Sequence, residues 1–462
     1  MRRRDFFRNS SMAAIGTQLF NPTITADTIA KKRGKVKNII FLVSDGMSTG
    51  TLNMADLMLQ RQQGRSSHWV QLMRDNRIKC AFMDTASANS LVTDSAAASS
   101  SWGGGVRVNN GVLNIGPKGE EYKPILHKFK DARKAVGCVT TVPITHATPA
   151  GFCVNSKSRS MDPIAVQYLS LKFDVLMGGG TEVFSKEGRA DKRDLLQEFR
   201  TAGYQVALNR SEMLNLNADK PILGVFHNDG LPYAVDRTQS DTLKATTPTL
   251  AEMTQKAIDI MQKNPNGFVL QVESGKVDWA AHANDISALI GEQIQFDDAL
   301  KAAIDFAEKD KNTLVVFTTD HGNAAPALLS DSKANANFDK IATFKQTNEW
   351  LLNGIDKNFT PSQIIERIEA AQGIVIKPED ALTILSNYYL LGEDGIYNAR
   401  KLPFQKLAQI QTSFTSVGWA GMVHTAEYVE LAMFGPGSEL LNSFVKNTDL
   451  HNFMLDVTDV KV

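Results

Sequence analysis

Six short stretches of this 462-residue chain are apolar almost from end to end, rather than at every second position. They are Asn38–Asp45, Ala135–Val142, Phe173–Gly178, Phe268–Glu273, Thr313–Asp320 and Tyr428–Phe434. Alternation would leave one face of a strand in water. Unbroken hydrophobicity means that both faces are covered, the condition of a parallel sheet with helices above and below. Helical periodicity fills the intervals, most clearly over Asp285–Glu308, where Ile286, Leu289, Ile290, Ile294, Leu300 and Ile304 share one stripe. This succession predicts an α/β fold: a doubly wound, mostly parallel sheet with helices on both faces.

The rhythm breaks between about Pro326 and Gly418. Thr360-Pro361-Ser362-Gln363 is a helix-start signature, with a capping threonine, proline at the first helical position and glutamine three residues on. Lys377-Pro378 opens a further helix. The expected organisation is one α/β domain over residues 31–462, with 326–418 as a helical insertion. Residues 1–30 stand apart. Arg2-Arg3-Arg4-Asp5-Phe6-Phe7-Arg8 and the weakly apolar run to Phe20 read as a twin-arginine export signal, which predicts a periplasmic or secreted protein.

Fifty basic and fifty acidic side chains cancel, so no broad positive face for nucleic acid is expected. No apolar run after the N-terminus is long enough to cross a bilayer, and stable membrane insertion is not expected. Cys80, Cys138 and Cys153 each lie in apolar surroundings and read as buried thiols. Three widely spaced cysteines make neither a disulfide scaffold nor a thiolate zinc site.

The chemistry gathers at strand ends, where open α/β sheets bind ligands. Asp45 closes the first run, Glu273 the fourth, and Asp320-His321 the fifth. Thr148 follows the run that ends at Val142, and His424 precedes the last. Asp278 and His282 are four residues apart, which on a helix puts a carboxylate and an imidazole on one face, able to share a metal ion. Ser95, in Thr93-Asp94-Ser95-Ala96-Ala97, begins a small-residue helix whose free N–H groups suit a phosphate. No histidine or lysine is near it in sequence, so a metal-activated serine nucleophile fits better than a triad.

This set resembles the alkaline phosphatase family from about Asn38 to the C-terminus. The shared elements are Asp-Gly-Met at Asp45, Thr-Asp-Ser-Ala-Ala at Ser95, His-Ala-Thr-Pro-Ala at His146, the Glu273–Asp278–His282 array, Thr-Asp-His-Gly at Asp320 and Val-His-Thr-Ala at His424. The resemblance implies hydrolysis of phosphate monoesters through a phosphoserine, a crown-like insertion and a homodimer. It implies one Zn2+ on Asp278, His282 and His424, and a second on Asp45, Asp320 and His321 beside Ser95. It implies Mg2+ on Asp45, Thr148 and Glu273, and a phosphate-binding role for Arg159. Four carboxylates against three divalent ions leave about +2, which matches a monoester dianion.

Some residues depart from the family pattern. Ser48 stands where many members have glycine. His146 and Trp279 replace an aspartate and a lysine of the best-known bacterial enzyme. An imidazole beside the third metal weakens a preference for magnesium. Loss of the lysine charge predicts weaker product inhibition by phosphate. The alternatives are a phosphodiesterase or nucleotide pyrophosphatase of the same superfamily, and an exported phosphate-binding protein. A sulfatase is not expected, because no cysteine sits in the Cys-x-Pro-x-Arg context that its formylglycine requires. His68, His127, His227 and His451 read as surface or capping residues, and Asp297-Asp298 as a solvated or packing feature.

Overall fold

The computed structural model describes residues 36–217, 219–391 and 401–461, so the stretch expected to be an export signal lies outside the described residues. Its strands are β1 (Asn38–Ser44), β2 (Lys79–Met83), β3 (Ala135–Pro143), β4 (Val175–Gly179), β5 (Gln205–Ala207), β6 (Ile222–Val225), β7 (Phe268–Ser274), β8 (Thr313–Thr318), β9 (Gly322–Asn323), β10 (Ala327–Leu328), β11 (Val417–Gly418), β12 (His424–Thr425), β13 (Val429–Phe434) and β14 (Phe444–Val445). Ten of these form one sheet in the order β14-β2-β13-β8-β1-β7-β3-β4-β6-β5. Every neighbouring pair is parallel except those that β13 makes with β8 and β2.

β13 therefore departs from the parallel direction that its continuous hydrophobicity suggested. The direction is set where the chain returns to the sheet: β12 pairs antiparallel with β9, just beyond the end of β8, and β13 follows three residues later, running against β8. β2 was not evident in the sequence. It is short and largely exposed, and Cys80 on it is exposed rather than buried, because β2 lies one strand from the sheet edge.

Both faces of the central strands are covered. Along β1, Ile40 and Leu42 join an apolar layer with Leu289, Phe296 and Leu300 of the helix Ile286–Asp310. Ile39, Phe41 and Val43 join the opposite layer with Trp102, Phe129 and Phe152. The helices Pro361–Gln372, Pro378–Tyr388 and Phe404–Thr415 contribute to a third apolar cluster of their own. Thr360 and Gln363 form a reciprocal capping box with Pro361 in the first turn. The two-residue ladder β10–β11 joins the chain on either side of this helical segment. Among the described residues no helix is long and apolar enough to cross a membrane.

Two polar residues take the capping or packing role rather than the surface one. His451 is buried, with Nδ1 2.8 Å from the Trp102 carbonyl, and burial lowers its pKa to about 4. Asp297 is also buried and caps the helix His68–Arg74, accepting from the backbone N–H groups of His68 and Trp69.

Candidate active site

The carboxyl ends of β1, β7 and β8 stand side by side, and each delivers a carboxylate. Asp45 is the residue after β1, Glu273 lies within the last two residues of β7, and Asp320 lies two beyond β8. The turn at Gly46 has φ +69°, and a Cβ there would lie 2.6 Å from Asp278 Oδ1. Glycine thus lets Asp278 approach, while the Gly46 N–H donates to Asp320 Oδ1 at 3.0 Å.

Three groups of donors result: Asp278, His282 and His424; Asp45, Asp320 and His321; Asp45, His146 and Glu273. In the first, His282 Nε2 lies 3.4 Å from Asp278 Oδ2, and His424 Nε2 lies 3.6 Å from Asp278 Oδ1. In the second, His321 Nε2 is 3.2 Å from Asp320 Oδ2 and 3.6 Å from Asp45 Oδ1. Thr148, on the helix Ala147–Cys153, brings its hydroxyl to 3.4 Å from Asp45 Oδ2, beside the third group. The sequence placed His146 only near this group; the fold puts it within ligand distance.

The imidazoles are oriented from behind. His282 Nδ1 faces the Met422 carbonyl at 2.7 Å, His424 Nδ1 that of Thr93 at 2.9 Å, and His321 Nδ1 that of Gly322 at 3.3 Å. Donation to these carbonyls protonates Nδ1 and leaves each Nε2 lone pair aimed at the carboxylates. His282 and His424 then present their Nε2 atoms 3.1 Å apart. Two lone pairs at that distance repel unless a cation lies between them.

The electrostatics point the same way. Burial, and then the charges of Asp320, Asp278 and Glu273, push the Asp45 carboxyl well above its ordinary range. Burial raises Glu273 to about 7 against the hydrogen bonds of Thr140 and Thr148. Burial also lowers His321, and burial with the Arg159 charge lowers His146 to about 3. Asp45 Oδ1, Asp320 Oδ2, Glu273 Oε1 and His146 Nδ1 are buried without a hydrogen-bond partner. Buried oxygens left in this state are costly, and a hard or borderline divalent cation is the group that suits such donors. The residues fit metal ions.

Ser95 opens the helix Ser95–Gly103, capped by Asp94, and is 1% exposed. Its Oγ lies 3.4 Å from His321 Nε2, so the fold supplies an imidazole that sequence proximity did not. Arg159 donates to Asp94 Oδ2 at 3.1 Å, and a second guanidinium nitrogen lies 3.0 Å from His146 Nε2. Its guanidinium is therefore held one residue from the nucleophile candidate. Trp279 packs edge-on against His146, ring centroids 6.1 Å apart, with the Lys276 ammonium 4.7 Å from its own ring centroid. Asn323, which no sequence motif singled out, donates its amide to Asp278 Oδ1 at 2.6 Å. Its place directly after Asp-His-Gly was the available signal.

A strand-end cluster of carboxylates and imidazoles around a serine at a helix N-terminus defines a metal-dependent hydrolase. The model of the family described as alkaline phosphatase matches residues 36–460. Alkaline phosphatase 4 of Bacillus subtilis is 31% identical over 444 residues, covering 94% of this chain and 91% of that protein. Alkaline phosphatase of Escherichia coli is 30% identical over 359 residues, covering 67% of this chain and 76% of that one. The crystal structure of Thermus thermophilus alkaline phosphatase superimposes with a TM-score of 0.86 at 29% identity, covering 96% of each chain. The chain belongs to the alkaline phosphatase family, and it is a phosphomonoesterase.

Proposed function

We propose that this protein hydrolyses phosphate monoesters through a phosphoserine formed on Ser95, with two zinc ions and one magnesium ion. One observation carries the reading: three donor groups, two of them with buried, unpartnered atoms, converge beside a single serine hydroxyl at a helix N-terminus. Asp278, His282 and His424 would hold one zinc, and Asp45, Asp320 and His321 the other. Asp45, Thr148 and Glu273 would hold the magnesium, with His146 drawing that position towards zinc or cobalt. When bound, the cations neutralise the carboxylates and the phosphate, and lower the pKa of the serine hydroxyl and of a water.

The chain's own residues then have separate tasks. Ser95 Oγ forms a bond to phosphorus as the ester P–O bond breaks, and the alcohol leaves on the opposite side. The backbone N–H groups that open the helix, with its dipole, face the phosphoryl oxygens. Arg159 offers a planar fork to two of those oxygens, and Asp94 holds that fork in place. Water then cleaves the phosphoserine and regenerates Ser95. Export through Arg2–Arg8 and assembly as a homodimer complete the reading.

The test is Ser95→Ala, purified with its metal content measured, and assayed on p-nitrophenyl phosphate and on the bis ester. Loss of monoesterase activity on the order of 10⁴-fold, with metal retained, is expected. The wild type should prefer the monoester. Activity that survives the substitution, or preference for the diester, overturns the reading.

A further inference from the structure

Ser48 is the N-cap of the helix Thr49–Gln63, yet its hydroxyl makes no capping hydrogen bond. A capping serine ordinarily accepts from the N–H of the helix's second or third residue. Here Ser48 is 2% exposed and faces away from its own helix. Its Oγ donates to Glu427 Oε1 at 2.5 Å and accepts from the Asn323 N–H at 3.1 Å. Thr425 Oγ1 donates to the same Glu427 oxygen at 2.7 Å.

The carboxylate has room only because of Gly322, where a Cβ would lie 1.6 Å from Glu427 Oε1. Glu427 therefore sits against β9 and β12, whose ladder pairs Asn323 with His424 and Gly322 with Thr425. Each end of this network touches a donor group of the active site. Asn323, held through its backbone by Ser48, donates its side-chain amide to Asp278. Thr425 is the neighbour of His424. Gly322 offers its carbonyl to His321. Ser48 itself lies three residues after Asp45, on the same turn.

We infer that Glu427 and Ser48 are positioning residues that fix the spacing between the Asp278–His282–His424 group and the Asp45–Asp320–His321 group. The inference rests on the metal-centre reading above. A zinc ion needs its nitrogen and oxygen donors within about 2.0–2.2 Å, so a shift of a few tenths of an ångström is felt in affinity. Outer partners of metal ligands act in this way without touching the ion. Glu427→Gln keeps an oxygen that can accept from Ser48 and Thr425, whereas Glu427→Ala and Ser48→Ala remove a member of the network.

The experiment measures zinc binding rather than turnover. Wild type, Glu427→Ala, Glu427→Gln, Ser48→Ala and the Ser48→Ala/Glu427→Ala double variant are stripped and titrated with zinc against a chromophoric chelator. The visible spectrum of each cobalt-substituted protein is recorded alongside. Glu427→Ala should weaken zinc binding roughly 10- to 100-fold and change the cobalt spectrum. Ser48→Ala should move both readouts the same way, and the double variant should be no worse than the sum of the singles and nearer to Glu427→Ala alone. Glu427→Gln should stay within about threefold of wild type, since the accepting oxygen remains. If Glu427→Ala does not fold, Ser48→Ala, which removes one oxygen, decides the question. Zinc held equally by wild type and Ser48→Ala, with identical cobalt spectra, overturns the inference and leaves the metal centre standing. Wild type that binds no zinc removes the metal centre, and the inference with it.

Discussion

Glu273→Gln should act with opposite sign on the empty and the loaded protein. Glu273 is fully buried, and Thr140 donates to one of its oxygens while the other has no partner. Burial lifts its pKa from the ordinary 4.5 to about 7. At about 1.4 kcal/mol for each tenfold in acid strength, that rise costs the folded, metal-free protein about 3 kcal/mol once the group is ionised. The direction follows from the order of deprotonation. Below pH 4.5 both folded and unfolded chains hold the proton and the cost is absent. Between pH 4.5 and 7 the unfolded chain releases it first, so stability falls as pH rises, and above 7 the whole cost is present. Glutamine cannot ionise, and its amide N–H would point towards the Asp45 carboxylate. Metal-stripped Glu273→Gln should therefore be about 1–3 kcal/mol more stable than stripped wild type at pH 8, and little different at pH 4.5. In a calorimetric scan of a chain this long this is a rise of roughly 1–3 °C. After metal is restored, the variant should lose monoesterase activity. A stripped variant no more stable than wild type at pH 8, or equally stabilised at both pH values, would show that ionised Glu273 does not destabilise the empty protein.

Three further outcomes follow from contacts at the site. Arg159→Ala should raise KM and lower kcat, for a combined loss of roughly 10²-fold in kcat/KM on p-nitrophenyl phosphate, with zinc content unchanged. Trp279→Lys places a cation beside His146. A unit charge in partly wet surroundings is worth on the order of 1 kcal/mol, so the inhibition constant of phosphate should tighten by roughly fivefold or more. Gly46→Ala puts a methyl group 2.6 Å from Asp278 Oδ1 on a left-handed backbone, and competition with a chelator should find zinc bound roughly 10- to 100-fold more weakly.

The central strands were legible because burial on both faces leaves no polar position to interrupt the pattern. Asn38–Asp45 and Phe268–Glu273 were read nearly to the residue, and the long helix from Asp285 was read from its cap onward. The short strands β2, β5 and β6 were not, since three to five residues carry too little periodicity, and β2 is also largely exposed. The donors themselves were legible as residue types at strand ends. Their supports were not. Asn323, Ser48 and Glu427 meet only through the β9–β12 ladder, and a pair 379 residues apart leaves no spacing to detect. His146 was found as a neighbour rather than a donor, because its role depends on which nitrogen Arg159 occupies and which is left free.

The convergence of the donors is a property of strand register. Val43 stands level with Glu273 on one side and with Thr318 on the other. Parallel strands in this alignment end together, so carboxylates more than 200 residues apart in sequence emerge in one row. Face matters as much as level. Val43 belongs to the apolar layer that also holds Ala96, Ala147 and Ala150, from the helices that carry Ser95 and Thr148, whereas Val272 belongs to the opposite layer. Glu273 is level with Val43 and with Thr140, which donates to it, and so faces the nucleophile's side of the sheet. A slip of β7 by one residue would bury Glu273 among Leu289 and Phe296 and turn Val272 towards Asp45. The apolar residues of β1 and β7, which never touch substrate, therefore decide whether the carboxylates can meet.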